Sequence, residues 1–299
     1  MTLDEKIGQL FMVAAYSNKD EASYRTIDKY ISDYKVGGLI FFQGTPQKQA
    51  ELTNRYQAQS KVPLWIGFDG EWGLGMRLDN SISYPRQLTL GAINHPDLIY
   101  EMGVEFARQM KRIGIHINFA PDIDVNSNPN NPVINDRSFG DNKFGVVRRG
   151  LAYMQGMQDN KILASGKHFP GHGDTDVDSH KDLPVLKHNM ERLESVELYP
   201  FKQFIRYGVG SIMVSHLNVL SLDGAPNFPA TLSPKIVQEM LIDSMGFKGL
   251  VFTDAMNMKG ISKFYPSGVA EVMAILAGND VMLFPDDVDA AIAGVRCAV

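Results

Sequence analysis

Short runs of β-branched and other apolar residues recur along the chain at wide intervals, with helical patterns between them. Eight runs read as strands: IGQLFMVAA from Ile7, GLIFF from Gly38, PLWIGFD from Pro63, IHINFAPD from Ile115, ILASGKHF from Ile162, SIMVSHL from Ser211, GLVFTDA from Gly249 and DVMLFP from Asp280. Each stays apolar until its last residue or two, which is how strands buried on both faces of a parallel sheet read. Between them lie amphipathic segments such as DLIYEMGVEFARQMKRIG from Asp97 and SPKIVQEMLIDSMG from Ser233. The second is punctuated as a helix, with Ser233 as N-cap, Pro234 at the first helical position and Gly246 as its stop. Eight strands, each followed by a crossover, predict an α/β fold, a single (β/α)8 TIM-type barrel over residues 1–299. A doubly wound sheet would more often have fewer strands and a phosphate-binding glycine turn after the first. No repeat or linker interrupts the pattern. The chain stops inside a helical segment, DDVDAAIAGVRCAV, without a cap or polar tail, so an excised domain truncated at its C-terminus is one expectation.

A barrel of this kind works at the carboxyl ends of its strands, where all the βα loops open. The polar residues obey that rule. Asp69 ends the third run, Asp122 the fourth, Lys167 and His168 the fifth, His216 the sixth and Asp254 the seventh. Burying each apolar strand carries these groups to one mouth, which predicts a pocket there.

Composition changes the picture mainly by exclusion. The formal charge of −5 is spread along the sequence, so no basic face is offered to nucleic acid. The single cysteine, Cys297, rules out an intramolecular disulfide, and its place on a helix near the chain end predicts a packing role. No apolar stretch is long enough to span a bilayer, and the opening MTLDEKIGQLFMV lacks the basic-then-apolar order of a secretory signal. A soluble chain is expected, with its compartment open: cytoplasmic as read, periplasmic or secreted if a signal has been removed.

The richest segment is KHFPGHGDTDVDSHKDLP, from Lys167 to Pro184, with three His and four Asp around a Pro-Gly break. Three readings compete for what should be a flexible loop. A calcium loop would use Asp174, Asp176 and Asp178, but the positions needing Gly and Glu hold Ser179 and Val185, and no HExxH helix offers a zinc site. A polar surface loop satisfying its own backbone is the plain alternative. The third is a catalytic loop in which Asp178 orients the imidazole of His180. No metal and no cofactor is expected. Asp254, between GLVFT and the helical AMNMKGI, should project into the mouth. A nearby Arg or Lys would keep its carboxylate ionised, as a nucleophile requires, whereas a helix-capping Asp would need neither.

KHFPGHGDTDVDSH and GLVFTDAMNMKGI, with NPVINDRSFG from Asn131 and the opening LDEKIGQLFMV, resemble the β-N-acetylglucosaminidase branch of glycoside hydrolase family 3 over nearly the whole chain. The resemblance implies a retaining mechanism through a covalent glycosyl-enzyme. It makes Asp254 the nucleophile and His180 the acid/base with Asp178 as partner. Asp69, Arg77, Arg137, Lys167 and His168 stand at the positions that hold the terminal sugar's hydroxyls, and His216 is supporting. The two arginines are also expected to help keep Asp254 deprotonated. Where many members have a Gly pair, this chain has Trp72 in DGEWG, an aromatic near the mouth or packed between the loop and the next helix.

The expected substrate is a small carbohydrate, an N-acetylglucosaminide from a muropeptide, chitobiose or another glycan. Because a neutral histidine replaces a second carboxylate, an anionic acceptor such as phosphate is less repelled, and phosphorolysis beside hydrolysis is conceivable. Rival readings are a β-glucosidase of the same family, a Schiff-base aldolase on Lys167, and an inactive sugar-binding domain of a larger protein.

Overall fold

In a computed structural model that describes residues 1–299, the eight apolar runs supply eight barrel strands. They are β1 (Phe11–Tyr16), β2 (Gly38–Phe42), β3 (Trp65–Phe68), β4 (Ile117–Asn118), β5 (Leu163–Phe169), β6 (Ser211–Val214), β7 (Leu250–Thr253) and β8 (Met282–Leu283). All pair in parallel with their neighbours in chain order. Two registers complete the circle: Phe11 pairs with Met282, and a bridge joins Phe252 to Val281. The fold is a (β/α)8 barrel.

Two apolar layers hold it. Inside the barrel, Met12, Ile40, Ile117, Phe119, Met213, Phe252 and Leu283 form a separate buried cluster. Gly67 makes room for this plug, since a Cβ there would meet Phe119 at 2.7 Å and Met12 at 2.9 Å. A second, larger layer fills the space between strands and helices, with Phe106, Tyr153, Phe201 and Phe204 among its large side chains. Ile40, Met213 and Leu283 of the inner plug also line the cavity at the mouth, so the plug is the floor beneath the polar site.

Two local expectations need correction. The first strand starts at Phe11 rather than Ile7, because Leu3–Gln9 is a helix. Thr2 Oγ1 accepts from Glu5 N while Glu5 accepts from Thr2 N, a capping box that commits the preceding turn. Ile7 is buried as part of that helix. Cys297 does not pack: the last helix, Val288–Ala298, buries Val288, Ala291, Ile292 and Val295, and Cys297 falls on its exposed side. The Ser233 segment does form a helix, Lys235–Ser244, wound with i+5 turns. Ser233 Oγ accepts from Ile236 N at 3.3 Å, and Gly246 follows at φ +70°. No helix is long and apolar enough to cross a membrane.

Candidate active site

At the carboxyl ends of the strands lies a cavity of about 550 Å³. Asp69, Arg77, Arg137, Lys167, His168, Asp178, His180 and Asp254 all line it, drawn from strand ends and loops far apart in sequence. Two other strand-end groups do not. Asp122 is fully buried behind the cavity, where its Oδ1 accepts from Asp124 N at 3.0 Å. His216 is also fully buried, between Thr231 Oγ1 at 2.7 Å and Ala255 O at 3.1 Å.

One side of the cavity is a chain of ion pairs. Arg77 Nη2 donates to Asp69 Oδ2 at 2.7 Å, and Lys167 Nζ reaches Asp69 Oδ1 at 3.2 Å and Glu71 Oε1 at 2.7 Å. Arg137 then grips Glu71 with two nitrogens, Nε to Oε2 at 3.0 Å and Nη2 to Oε1 at 2.7 Å. Burial pushes the Glu71 and Asp69 carboxyls up, but Arg137 and Lys167 beside Glu71, and Lys167 and Arg77 beside Asp69, hold both below the usual range. Burial likewise lowers the Lys167 ammonium, and Glu71 and Asp69 reverse it to a net rise. Lys167 is therefore a held cation. A Schiff-base lysine must be a free amine, so this geometry opposes the aldolase reading.

The chain continues through His168. Arg137 Nη2 lies 3.2 Å from His168 Nε2 and can only donate, so Nε2 accepts and the ring proton sits on Nδ1, 2.7 Å from Asp124 Oδ2. Asp124 also accepts from the backbone N–H of His172 at 2.6 Å. Both nitrogens of His168 are thus engaged within the protein, and a sugar hydroxyl reaching Nε2 must displace Arg137.

Asp254 follows β7 directly. Its N–H still bonds Val214 O at 2.8 Å, which fixes where the side chain leaves the sheet, and its Oδ1 accepts from Ala255 N at 2.8 Å. Burial pushes this carboxyl up, but His168, His216 and the Ala255 N–H outweigh it and leave it below the ordinary value. The arginines expected to do this are occupied elsewhere, Arg77 by Asp69 and Arg137 by Glu71.

The His-Asp loop, which follows β5, lines the same cavity. Asp178 Oδ1 takes both the backbone N–H of His180 and its Nδ1, each at 2.9 Å, which leaves Nε2 as the atom free for proton transfer. Burial raises the Asp178 carboxyl, and the His180 N–H and imidazole bring it to a net fall. The loop, expected to be flexible, is pinned at its base. His172 sits buried between Thr175 Oγ1 at 2.7 Å and Ser179 Oγ at 3.1 Å, and burial pushes its imidazole down to about 4. Farther on, Val185–Leu186 pairs with Asn218–Val219. The three carboxylates weighed as a calcium loop turn to separate partners: Asp174 to His188, Asp176 to Asn128 and Asp178 to His180.

The model of the glycosyl hydrolase family 3 N-terminal domain matches residues 2–299. The chain belongs to glycoside hydrolase family 3. It is 37% identical over 283 residues to beta-hexosaminidase A of Pseudoalteromonas piscicida, covering 87% of this chain and 47% of that protein. It is 34% identical over 265 residues to a beta-hexosaminidase of Thiobacillus denitrificans, covering 85% and 72%. Among solved structures, a family 3 β-N-acetylglucosaminidase from a Paenibacillus species superposes with a TM-score of 0.93 at 36% identity, covering all of this chain and 58% of that one. The chain thus spans about half the length of some of the relatives it matches.

Within this family 3 barrel, sequence reasoning missed Glu71, Asp124 and His172. Glu71 had a usable signal: it lies two residues beyond Asp69 at a strand end, the spacing that returns a side chain to the same face. His172 had none, since nothing in its type separates it from His180. Trp72 lines the cavity, half-buried, with the Arg86 guanidinium 4.1 Å from its ring centroid.

Proposed function

We propose that this barrel is a retaining exo-β-N-acetylglucosaminidase. Asp254 attacks the anomeric carbon as the glycosidic C–O bond breaks, and His180 Nε2–H protonates the departing oxygen. Water then attacks the glycosyl ester from the opposite face and loses its proton to Nε2, so the β configuration is restored. The observation that carries the reading is the contrast in availability among the cavity's acids and bases. Asp69 and Glu71 are locked against Lys167, Arg77 and Arg137, so neither can carry a proton, while Asp254 and His180 remain uncommitted. The Asp178 carboxylate stabilises the imidazolium that donates in the first step.

Asp69, Arg77, Arg137, Lys167 and His168 bind the terminal sugar in this reading, as fixed donors and acceptors around its hydroxyls. A terminal N-acetylglucosamine fits the relatives' printed names, and a muropeptide or chitin fragment could supply it. The test is to follow hydrolysis of an aryl β-N-acetylglucosaminide by NMR beside the matched glucoside. The β anomer should appear first, with the glucoside much slower; initial α product would overturn the mechanism, and no turnover of either would leave only sugar binding.

A further inference from the structure

The cavity carries its ion pairs at the ends of β3 and β5, with Trp72 beside them, and a cluster of aromatic rings at the ends of β8, β1 and β2. Around the arc of β8, β1 and β2, Tyr16, Phe42 and Phe284 form a continuous wall, with ring centroids 5.6 Å apart for Tyr16 and Phe42 and 5.7 Å for Phe42 and Phe284. Phe42 and Phe284 face the cavity that holds Asp254. Phe284 and Tyr16 also line a second cavity, of about 530 Å³, bounded by β1, the helix Glu21–Lys29 and the segment from Phe284 to Val288 that follows β8. Phe284 is the one residue common to both, and each space is of ligand-pocket size.

The second cavity has the make-up that suits a pyranose: aromatic faces with a polar fringe. Tyr24 and Tyr30 lie among its walls, the Lys19 ammonium stands 5.4 Å from the centroid of the Tyr16 ring, and Asp286 lies at the edge. A sugar offers a weakly apolar face and a rim of hydroxyls, which this pattern matches. The position of Phe284 is itself unusual. It adopts φ +49°, in the left-handed region that a bulky residue avoids, and is held there by its N–H on Met12 O at 2.8 Å and by Asn257 N on its carbonyl at 3.1 Å. Asn257 belongs to the loop that follows Asp254. The wall and the nucleophile are therefore set by one piece of backbone.

We propose that the Phe42–Phe284 wall seats the leaving sugar and that the second cavity receives the next residue, so that the barrel prefers β-linked amino-sugar oligosaccharides longer than a disaccharide. This rests on the function proposed above. In that reading the ion-paired side holds the terminal ring, and the aromatic wall adjoins it, with the Arg77 guanidinium 4.9 Å from the Phe42 ring centroid.

The test measures kcat/KM on N-acetylglucosaminyl azide, which has no second ring, and on β-1,4-linked N-acetylglucosamine di-, tri- and tetrasaccharides. The wild type should improve from di- to trisaccharide through KM. Tyr30 lines the second cavity and not the first, so Tyr30→Ala should lower the ratio of trisaccharide to azide kcat/KM by about tenfold. Phe284→Ala should lower the disaccharide ratio as well; if that variant melts early, Tyr30→Ala decides alone. Turnover of the azide with ratios unchanged in Tyr30→Ala, or no improvement with chain length, overturns this inference and leaves the reaction standing. No turnover of the azide or any oligosaccharide by the wild type overturns both.

Discussion

On the β3 to β5 side of the cavity, the Lys167 side chain is 3% exposed, that of Glu71 is 0% exposed, and the charges are matched to one another within the protein. On the His-Asp loop, the His180 side chain is 62% exposed and bonds only Asp178. The two sides serve different needs. Recognition benefits from donors and acceptors that do not move, because fixed dipoles need no reorganisation when substrate arrives. Proton transfer needs a group with a free nitrogen that can meet both a leaving oxygen and a water. Damage to the buried side should therefore register as stability and binding, and damage to the exposed side as rate alone.

Asp254→Asn gives the largest expected effect, because in the proposed reaction it removes the nucleophile: turnover should fall by about 10⁴-fold or more with folding intact. His180→Ala comes next. On a substrate whose leaving group needs protonation it should cost roughly 10²–10⁴-fold in kcat while Tm stays near that of the wild type. On an activated aryl glycoside, glycosylation should be spared and the adduct on Asp254 should accumulate; equal losses on both substrates, with no adduct in the mass spectrum, would place proton transfer elsewhere. Glu71→Gln should do the reverse. Stripping the shared partner from buried Lys167 and Arg137 should cost roughly 3–5 kcal/mol, read as a Tm drop of several degrees. A melting curve matching the wild type would break the comparison at its root.

The smaller tests sharpen it. Asp178→Asn keeps the imidazole but removes its orienting charge, so kcat should fall less than in His180→Ala, with the pH profile displaced. Acid should weaken the buried side. Glu71 and Asp69 sit below their ordinary values in the folded state. Their stabilisation is complete above the usual carboxylate range and is lost as pH falls through the folded values. Tm should decline below about pH 4, where ordinary carboxyls take up protons, and Glu71→Gln should flatten the decline.

The barrel was legible because its parallel strands are apolar along their length, and the polar residues ending them mark the mouth. What failed did so for want of tertiary information. The carboxylates at 69, 71, 122 and 124 are alike in sequence, yet Asp69 and Glu71 meet cations from other segments, while Asp122 is walled off behind the site. His172 and His180 share one loop and one chemistry; only burial, 1% residue exposure for the first against a 62% exposed side chain for the second, makes one a brace and the other available. The helix over Leu3–Gln9 was missed because its apolar Ile7 runs straight into the apolar start of β1, and only the Thr2–Glu5 cap marks the break.

The closure of the barrel has a consequence for the order in which the protein can be made. β8 is two residues long, Met282 and Leu283, and its pairing with Phe11 and Met12 is what turns an open sheet into a ring. A chain emerging from the ribosome can lay β1 to β7 side by side as each is synthesised, but the outer edges of β1 and β7 stay unpaired until some 280 residues have appeared. Those edges, FMVAAY and LVFT, are the kind of bare apolar strand that recruits a neighbour's. Crowded synthesis should accordingly be the moment of greatest hazard for this chain, and fewer nascent chains at once or a lower temperature the simplest protection.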